Sequence, residues 1–122
     1  MKLHMLATGF AFISSMLMNI PSIQSVGFGL VLATAGIQGL LTFFASLALA
    51  KWASRLPGAL GVVFLVIALV NDYTSNYSLA YMMGTGAHMM AETPIRYVLS
   101  ACFTAMAVSS MCKQWWPEVS PA

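Results

Sequence analysis

Asp72, His88, Glu92 and Arg96 carry most of the ionisable chemistry of this chain, and all four fall in one stretch of it. His88, Glu92 and Arg96 are spaced four apart, a separation that would stack them on one helix face. Pro94 interrupts that register, because proline disfavours helix at the residue before it and so detaches Glu92 from the helix beyond. Asn71 stands beside Asp72. A carboxylate next to an amide can hold a proton or a small cation. Paired with Arg96, the same carboxylate would instead tie two segments together. Both readings of Asp72 stand at this level, and the ion or substrate candidates are Asn71, Asp72, His88, Glu92 and Arg96.

A second constellation is Met82, Met83, His88, Met89 and Met90. Thioether and imidazole ligands suit Cu(I), because soft ligands select soft metals. The competing reading is that methionine fills irregular apolar space. The chain holds ten methionines, and Met5, Met16, Met18, Met106 and Met111 lie far from this cluster, which favours filling and anchoring over ligation. His4 stands at the chain start and His88 outside any long apolar stretch, so neither suits haem ligation within a span. No cofactor is expected.

Enzyme signatures are missing from the sequence. It has no phosphate-cradling glycine loop with lysine, no paired-cysteine motif and no histidine pair at metal spacing. Gly27-Phe28-Gly29 and Gly84-Thr85-Gly86 lack the strand and helix context that a nucleotide loop requires. Ser14, Ser15, Ser109 and Ser110 have no evident base nearby. The expectation is a protein with no catalytic residues.

The elements that would position these side chains follow from composition. The chain is 60% hydrophobic and 7% charged, with a mean hydropathy of +0.85, whereas soluble domains carry roughly 25% charged residues. So apolar a small chain lacks the polar coat that water demands, and a bilayer removes that demand. A span needs roughly 20 mainly apolar residues, so about four fit and little else does. The net charge of +2 is too small for a nucleic-acid footprint.

The predicted fold class is an all-α integral membrane protein. It is a single domain over residues 1–122, with four transmembrane helices near 3–20, 26–50, 56–76 and 94–112 and a short interfacial segment at 77–93 on the outer side. The first stretch also resembles a signal peptide, but it is long for one and shows no clear small-x-small cleavage site. Ser54 and Pro57 read as the cap and first turn of the third helix, and Thr93-Pro94 as those of the fourth. The purely apolar core of the third span, residues 59–70, gives only about 18 Å of helix, so continuation through Asn71, Asp72 and Tyr73 is expected. Beyond it the pattern predicts a helix end, a glycine turn at 84–86 and a short interfacial helix.

Small residues recur near helical spacing at Gly29, Ala33, Gly36 and Gly39, and at Ala101, Ala105 and Ser109. Such stripes let helix backbones approach closely, either within the bundle or between copies of it. Cys102 and Cys112 lie ten positions apart on one apolar stretch, about 15 Å on a helix and beyond disulfide reach.

Lys2, Lys51, Arg55 and Lys113 fall on one side of this topology and Arg96 on the other. Trp52, Trp115 and Trp116 cluster with the first group, and Tyr73, Tyr77, Tyr81 and Tyr97 with the second. The basic bias predicts both ends inside, in the cytoplasmic (inner) membrane of a bacterium. A bundle this small encloses no wide aqueous path alone, so its partners are expected to be the lipid bilayer and either itself or a larger membrane protein. Three function classes result: a transport or channel-type component, a non-catalytic accessory subunit of a membrane complex, and a holin-type membrane-permeabilising protein.

Overall fold

The computed structural model describes the backbone of residues 2–20, 23–85 and 92–118, and the side chains of these except 25–26, 74–85 and 92–94. The fold is all-α. Helix α1 spans Lys2–Met18, the single turn α2 spans Ile23–Val26, α3 spans Phe28–Ala53, α4 spans Gly58–Thr85 and α5 spans Glu92–Trp115. Helix α3 and the Ile95–Trp115 part of α5 are long and apolar enough to cross a membrane, whereas Lys2–Met18 and Gly58–Tyr73 are shorter apolar helices.

Local chemistry sets the breaks. Asn19 ends α1 by turning its own amide onto the Ser15 carbonyl, Nδ2 to O 2.8 Å. Gly27 separates α2 from α3 with φ +93°, a conformation that costs glycine little and other residues much more. Ser54, expected to start the third long helix, closes α3 instead. Its amide donates to the Ala50 carbonyl at 2.9 Å and its hydroxyl to the Lys51 carbonyl at 2.8 Å. Serine can serve either end of a helix by sequence, and here the preceding carbonyls are the nearer partners. Pro57 then opens α4, accepting from the amides of Leu60 at 3.1 Å and Gly61 at 3.3 Å.

Helix α4 continues through Asn71, Asp72 and Tyr73 and on to Thr85, past the expected end near residue 76. Nothing in 77–83 forbids helix, since polar residues and tyrosine are only modestly unfavourable there. The expected interfacial helix at 87–91 lies outside the described residues. Helix α5 starts at Glu92, two residues before the expected start. Pro94 then sits in the first turn, where its missing N–H has no helical partner to lose.

Helix α5 is the centre of the bundle. It packs against α4 on one side and α3 on the other, and α1 covers α3 and touches both α4 and α5. The C-terminal ends of α3 and α5 meet the N-terminal end of α1, where Leu3, Ala7, Ala50, Val108 and Cys112 form an apolar cluster with Leu6 against it. Gly61 marks a close approach of α4 and α5. A Cβ placed there would lie 2.9 Å from Met111 Cγ and 3.1 Å from the Ala107 carbonyl.

Most large apolar side chains point outward. Ile13, Leu17, Leu40, Phe44, Val66 and Val70 are each more than half exposed, while Thr34, Gln38, Thr42, Ser46, Asp72, Ser100, Thr104, Ser109 and Ser110 are buried. Most buried apolar residues are alanines, so the interior is richer in polar groups, and the surface in large apolar ones, than in a water-soluble bundle.

Candidate functional site

The buried stripe of α3 repeats a polar residue every turn: Thr34, Gln38, Thr42, Ser46. These residues lie on one helix face because four positions make slightly more than one turn. Two of them are satisfied locally, Thr34 by the Val31 carbonyl at 2.9 Å and Thr42 by the Gln38 carbonyl at 2.8 Å. Ser46 meets His4 Nδ1 of α1 at 2.6 Å, and the His4 ring stands edge-on to Phe43 with centroids 6.3 Å apart. On α5, Ser109 donates to the Ala105 carbonyl at 2.7 Å, and Ser110 to the Met106 carbonyl at 2.8 Å and the Ala53 carbonyl at 2.9 Å. The polar groups toward the Leu3–Cys112 end of the bundle are thus paired.

Toward the other end several are not. Gln38 is fully buried, and among the described residues neither its Nε2 nor its Oε1 meets a partner; Asn19 Oδ1 is also buried and unpaired among them. Leaving a buried polar group unpaired costs about 1–3 kcal/mol, so native structures seldom keep several together without a use. Tyr97, on the second turn of α5, faces Thr34 of α3 and lies within the electrostatic reach of Asp72 on α4. Asp72 is 2% exposed and accepts a short hydrogen bond from the Ser100 hydroxyl, which also sits 3.4 Å from the Ala68 carbonyl. Asp72 of α4, Ser100 and Tyr97 of α5 and Thr34 of α3 thus form one polar layer across three helices, and Gln38 follows Thr34 one turn further along the buried face of α3.

The expected candidates separate on this geometry. Asp72 is in the layer. Arg96 is exposed, and its backbone carbonyl is engaged, accepting from Asn71 Nδ2 at 2.7 Å. In place of the expected Asp72–Arg96 ion pair stands the Asp72–Ser100 hydrogen bond, because Asp72 turns into the α4–α5 seam while Arg96 turns outward. Asn71 helps dock α4 on the start of α5 and is half-buried beside the layer. His88, Met89 and Met90 lie outside the described residues, as do the side chains of Met82, Met83 and Glu92; the candidate Cu(I) cluster falls among these. Among the described residues no group of three or more histidine, cysteine, aspartate or glutamate side chains is placed to hold a metal.

The small-residue stripes also divide. Ala101, Ala105 and Ser109 are buried within the bundle, and Gly39 packs against the Thr8 carbonyl and Phe12 of α1, with a Cβ placed there 3.5 Å and 3.6 Å from them. Ala33 is exposed, and Gly29 and Gly36 have nothing within 4 Å of a Cβ position. Gly36 borders a shallow apolar groove of about 560 Å³ between α1 and α3, also lined by Met5, Phe12 and Leu40.

Gln38, Tyr97, Thr34 and Ser100 do not stand out from the sequence as a site. A signal for Gln38 is nonetheless present: an amide amid an apolar helix, with threonines one turn to either side. No protein family, curated protein or solved structure matches this chain.

Proposed function

We propose that this chain is a small polytopic membrane protein of the cytoplasmic membrane that acts as a transport or channel-type component, as a homo-oligomer or beside a larger membrane partner. In this reading α1, α3, α4 and α5 all cross the bilayer, with both chain ends on the cytoplasmic side. The observation that carries it is the distribution of side chains: an interior that mixes alanine with many polar groups, Asp72 and the unpaired Gln38 among them, inside a shell of exposed Ile, Leu, Val and Phe. An apolar shell suits lipid, and an ionisable residue turned into the interior of such a bundle is by default a functional candidate. Helix α1 has 17 residues, about 26 Å of helix, at the short limit for a span. Helix α4 has 28 residues, about 42 Å, so its outer third would stand clear of the hydrocarbon core.

The layer of polar groups lies toward the outer end in this topology, and the apolar cluster of Leu3, Ala7, Ala50, Val108 and Cys112 toward the inner end. A second reading, an accessory subunit, draws on the exposed Gly29, Ala33 and Gly36 face of α3, a surface on which another helix could seat closely.

The test is ion and small-solute flux into liposomes containing the purified protein, comparing the natural chain with Asp72→Asn. Flux that disappears in the variant, with insertion unchanged, is the expected result. Liposomes as tight as protein-free controls under every gradient, combined with a stoichiometric larger membrane protein in mild-detergent preparations, would favour the accessory reading.

A further inference from the structure

We propose that the groove between α4 and α5 with Arg96 at its mouth holds one anionic phospholipid, its headgroup phosphate on the Arg96 guanidinium and an acyl chain along the seam. The inference rests on the membrane reading above and names a partner for the outer half of that bundle.

The groove has a volume of about 460 Å³. Its walls are apolar: Val66 and Val70 of α4, Leu99 and Phe103 of α5. Its polar lining residues, Asn71 and Arg96, sit together, because Asn71 Nδ2 donates to the Arg96 carbonyl at 2.7 Å. That bond also holds the start of α5 against α4, so the polar end is fixed in place. The two helices run antiparallel: Asn71 meets Arg96, whereas Gly61 comes close to Ala107 and Met111. From Arg96 to Phe103 the groove follows α5 for about 10 Å. It is polar at one end and apolar along the rest, which is the pattern of an amphiphile.

Charge completes the match. Arg96 is exposed, and Asp72, the acidic residue beside Asn71, is turned inward onto Ser100. A guanidinium presents a planar fork of donors that fits two phosphate oxygens. Arg96 lies in the first turn of the apolar Ile95–Trp115 helix. In the proposed topology that turn is at headgroup level, and Phe103 lies deeper in the hydrocarbon. Head and chain of an outer-leaflet phospholipid thus meet the two ends of the groove in the right order. A net negative headgroup is preferred, because the cationic group of a zwitterionic one competes with Arg96 for the phosphate. The groove between α1 and α3 is larger, about 560 Å³, but no charged side chain lines it, so it offers a headgroup no partner.

The test is native mass spectrometry of the full chain in mild detergent, mixed with equal amounts of phosphatidylglycerol and phosphatidylcholine of the same acyl chains. The natural protein should take up one phosphatidylglycerol in preference. Arg96→Gln should lower that occupancy about five-fold and leave phosphatidylcholine uptake unchanged. Val66→Trp keeps Arg96 but fills the groove, and should lower it as well. Both residues are exposed, so the variants should keep the helical circular dichroism of the natural chain. Equal uptake of the two lipids by the natural chain overturns the proposal, whether or not the variants fold. So does a preference that survives Arg96→Gln, or one that is lost instead in Lys51→Gln/Arg55→Gln, which would assign it to the inner end. Glycerol phosphate, the headgroup ester without chains, should not displace the lipid; displacement would make this a site for free phosphate and overturn the lipid. A chain that stays dissolved and monomeric without detergent would overturn the membrane reading and the lipid site together. A detergent-dependent chain with no lipid preference would remove the lipid site alone, and lipid preference without liposome flux would keep the site and remove the transport role.

Discussion

The Ser100 hydroxyl donates to Oδ1 of Asp72 across the seam between α5 and α4, joining residues 28 positions apart in the chain. This bond ties the buried carboxyl to its surroundings, and it is made to a neutral group. Removing it should leave a buried acceptor without its donor. Ser100→Ala is expected to destabilise the fold by about 1–3 kcal/mol, read as a lower melting temperature by circular dichroism in detergent. A melting temperature within error of the natural protein would show that Asp72 finds another partner.

Gly61 lets α4 and α5 touch. With a Cβ there only 2.9 Å from Met111 Cγ and 3.0 Å from Ser110 Cβ, Gly61→Val should force the helices apart at a cost of about 1–3 kcal/mol. Gly29, in open space on α3, should behave oppositely. Gly29→Ala is expected to be neutral or stabilising by up to about 1 kcal/mol, since alanine favours helix over glycine. Unfolding of the two variants side by side checks the contrast, and equal losses would contradict it.

The exposed α3 face gives a prediction about association. A Cβ at Gly36 meets nothing within 4 Å, and the Gly36→Leu side chain has the open apolar groove beside α1 to occupy, so the monomer should fold as before. If copies pack through this face, the bulkier side chain should shift light-scattering mass in detergent from oligomer to monomer. An unchanged oligomer would place the contact elsewhere.

His4 and Ser46 link α1 to α3 through a 2.6 Å contact. His4→Ala and Ser46→Ala should each lower stability by about 0.5–1.5 kcal/mol. Because both remove the same contact, the double variant should lose less than the sum of the two. Strict additivity across the cycle would mean that the pair is adjacent without being coupled.

Gly27 carries the one positive φ found among the described residues. Gly27→Ala should cost about 1–2 kcal/mol, since a side chain is strained in that conformation. An unchanged melting temperature would indicate that the α2–α3 junction can take another shape.

Much of the helical layout can be read along the chain. Long apolar runs and the proline before Gly58 place most helix boundaries to within a few residues, because hydropathy and backbone restriction act locally, whereas the break at Gly27 falls inside the expected second span. The end of α4 is harder to read for a related reason. Its polar, tyrosine-rich sequence looks like an interface, yet it carries no residue that stops a helix before Gly84. Asp72 is legible as a candidate because a lone carboxylate after an apolar run is conspicuous.

Its partner is not legible. Arg96 is the obvious mate by charge, and Ser100 is the actual one, a single turn further along α5. Charge can be read from the chain, but the rotation of α5 about its own axis cannot, and one turn decides whether a guanidinium or a hydroxyl meets the carboxyl. Rotation of α3 likewise decides that Gly39 faces α1 while Gly36, three positions earlier, faces outward. It also carries Gln38 into the interior beside Thr34. Composition and local propensity alone make this chain helical, strongly apolar and sparing with charge, because those properties sum over residues without regard to their neighbours in space. Which polar residues share the core is a property of the folded bundle. That choice depends on how three separate helices turn toward one another, and each turn is settled by packing against residues far away in the chain.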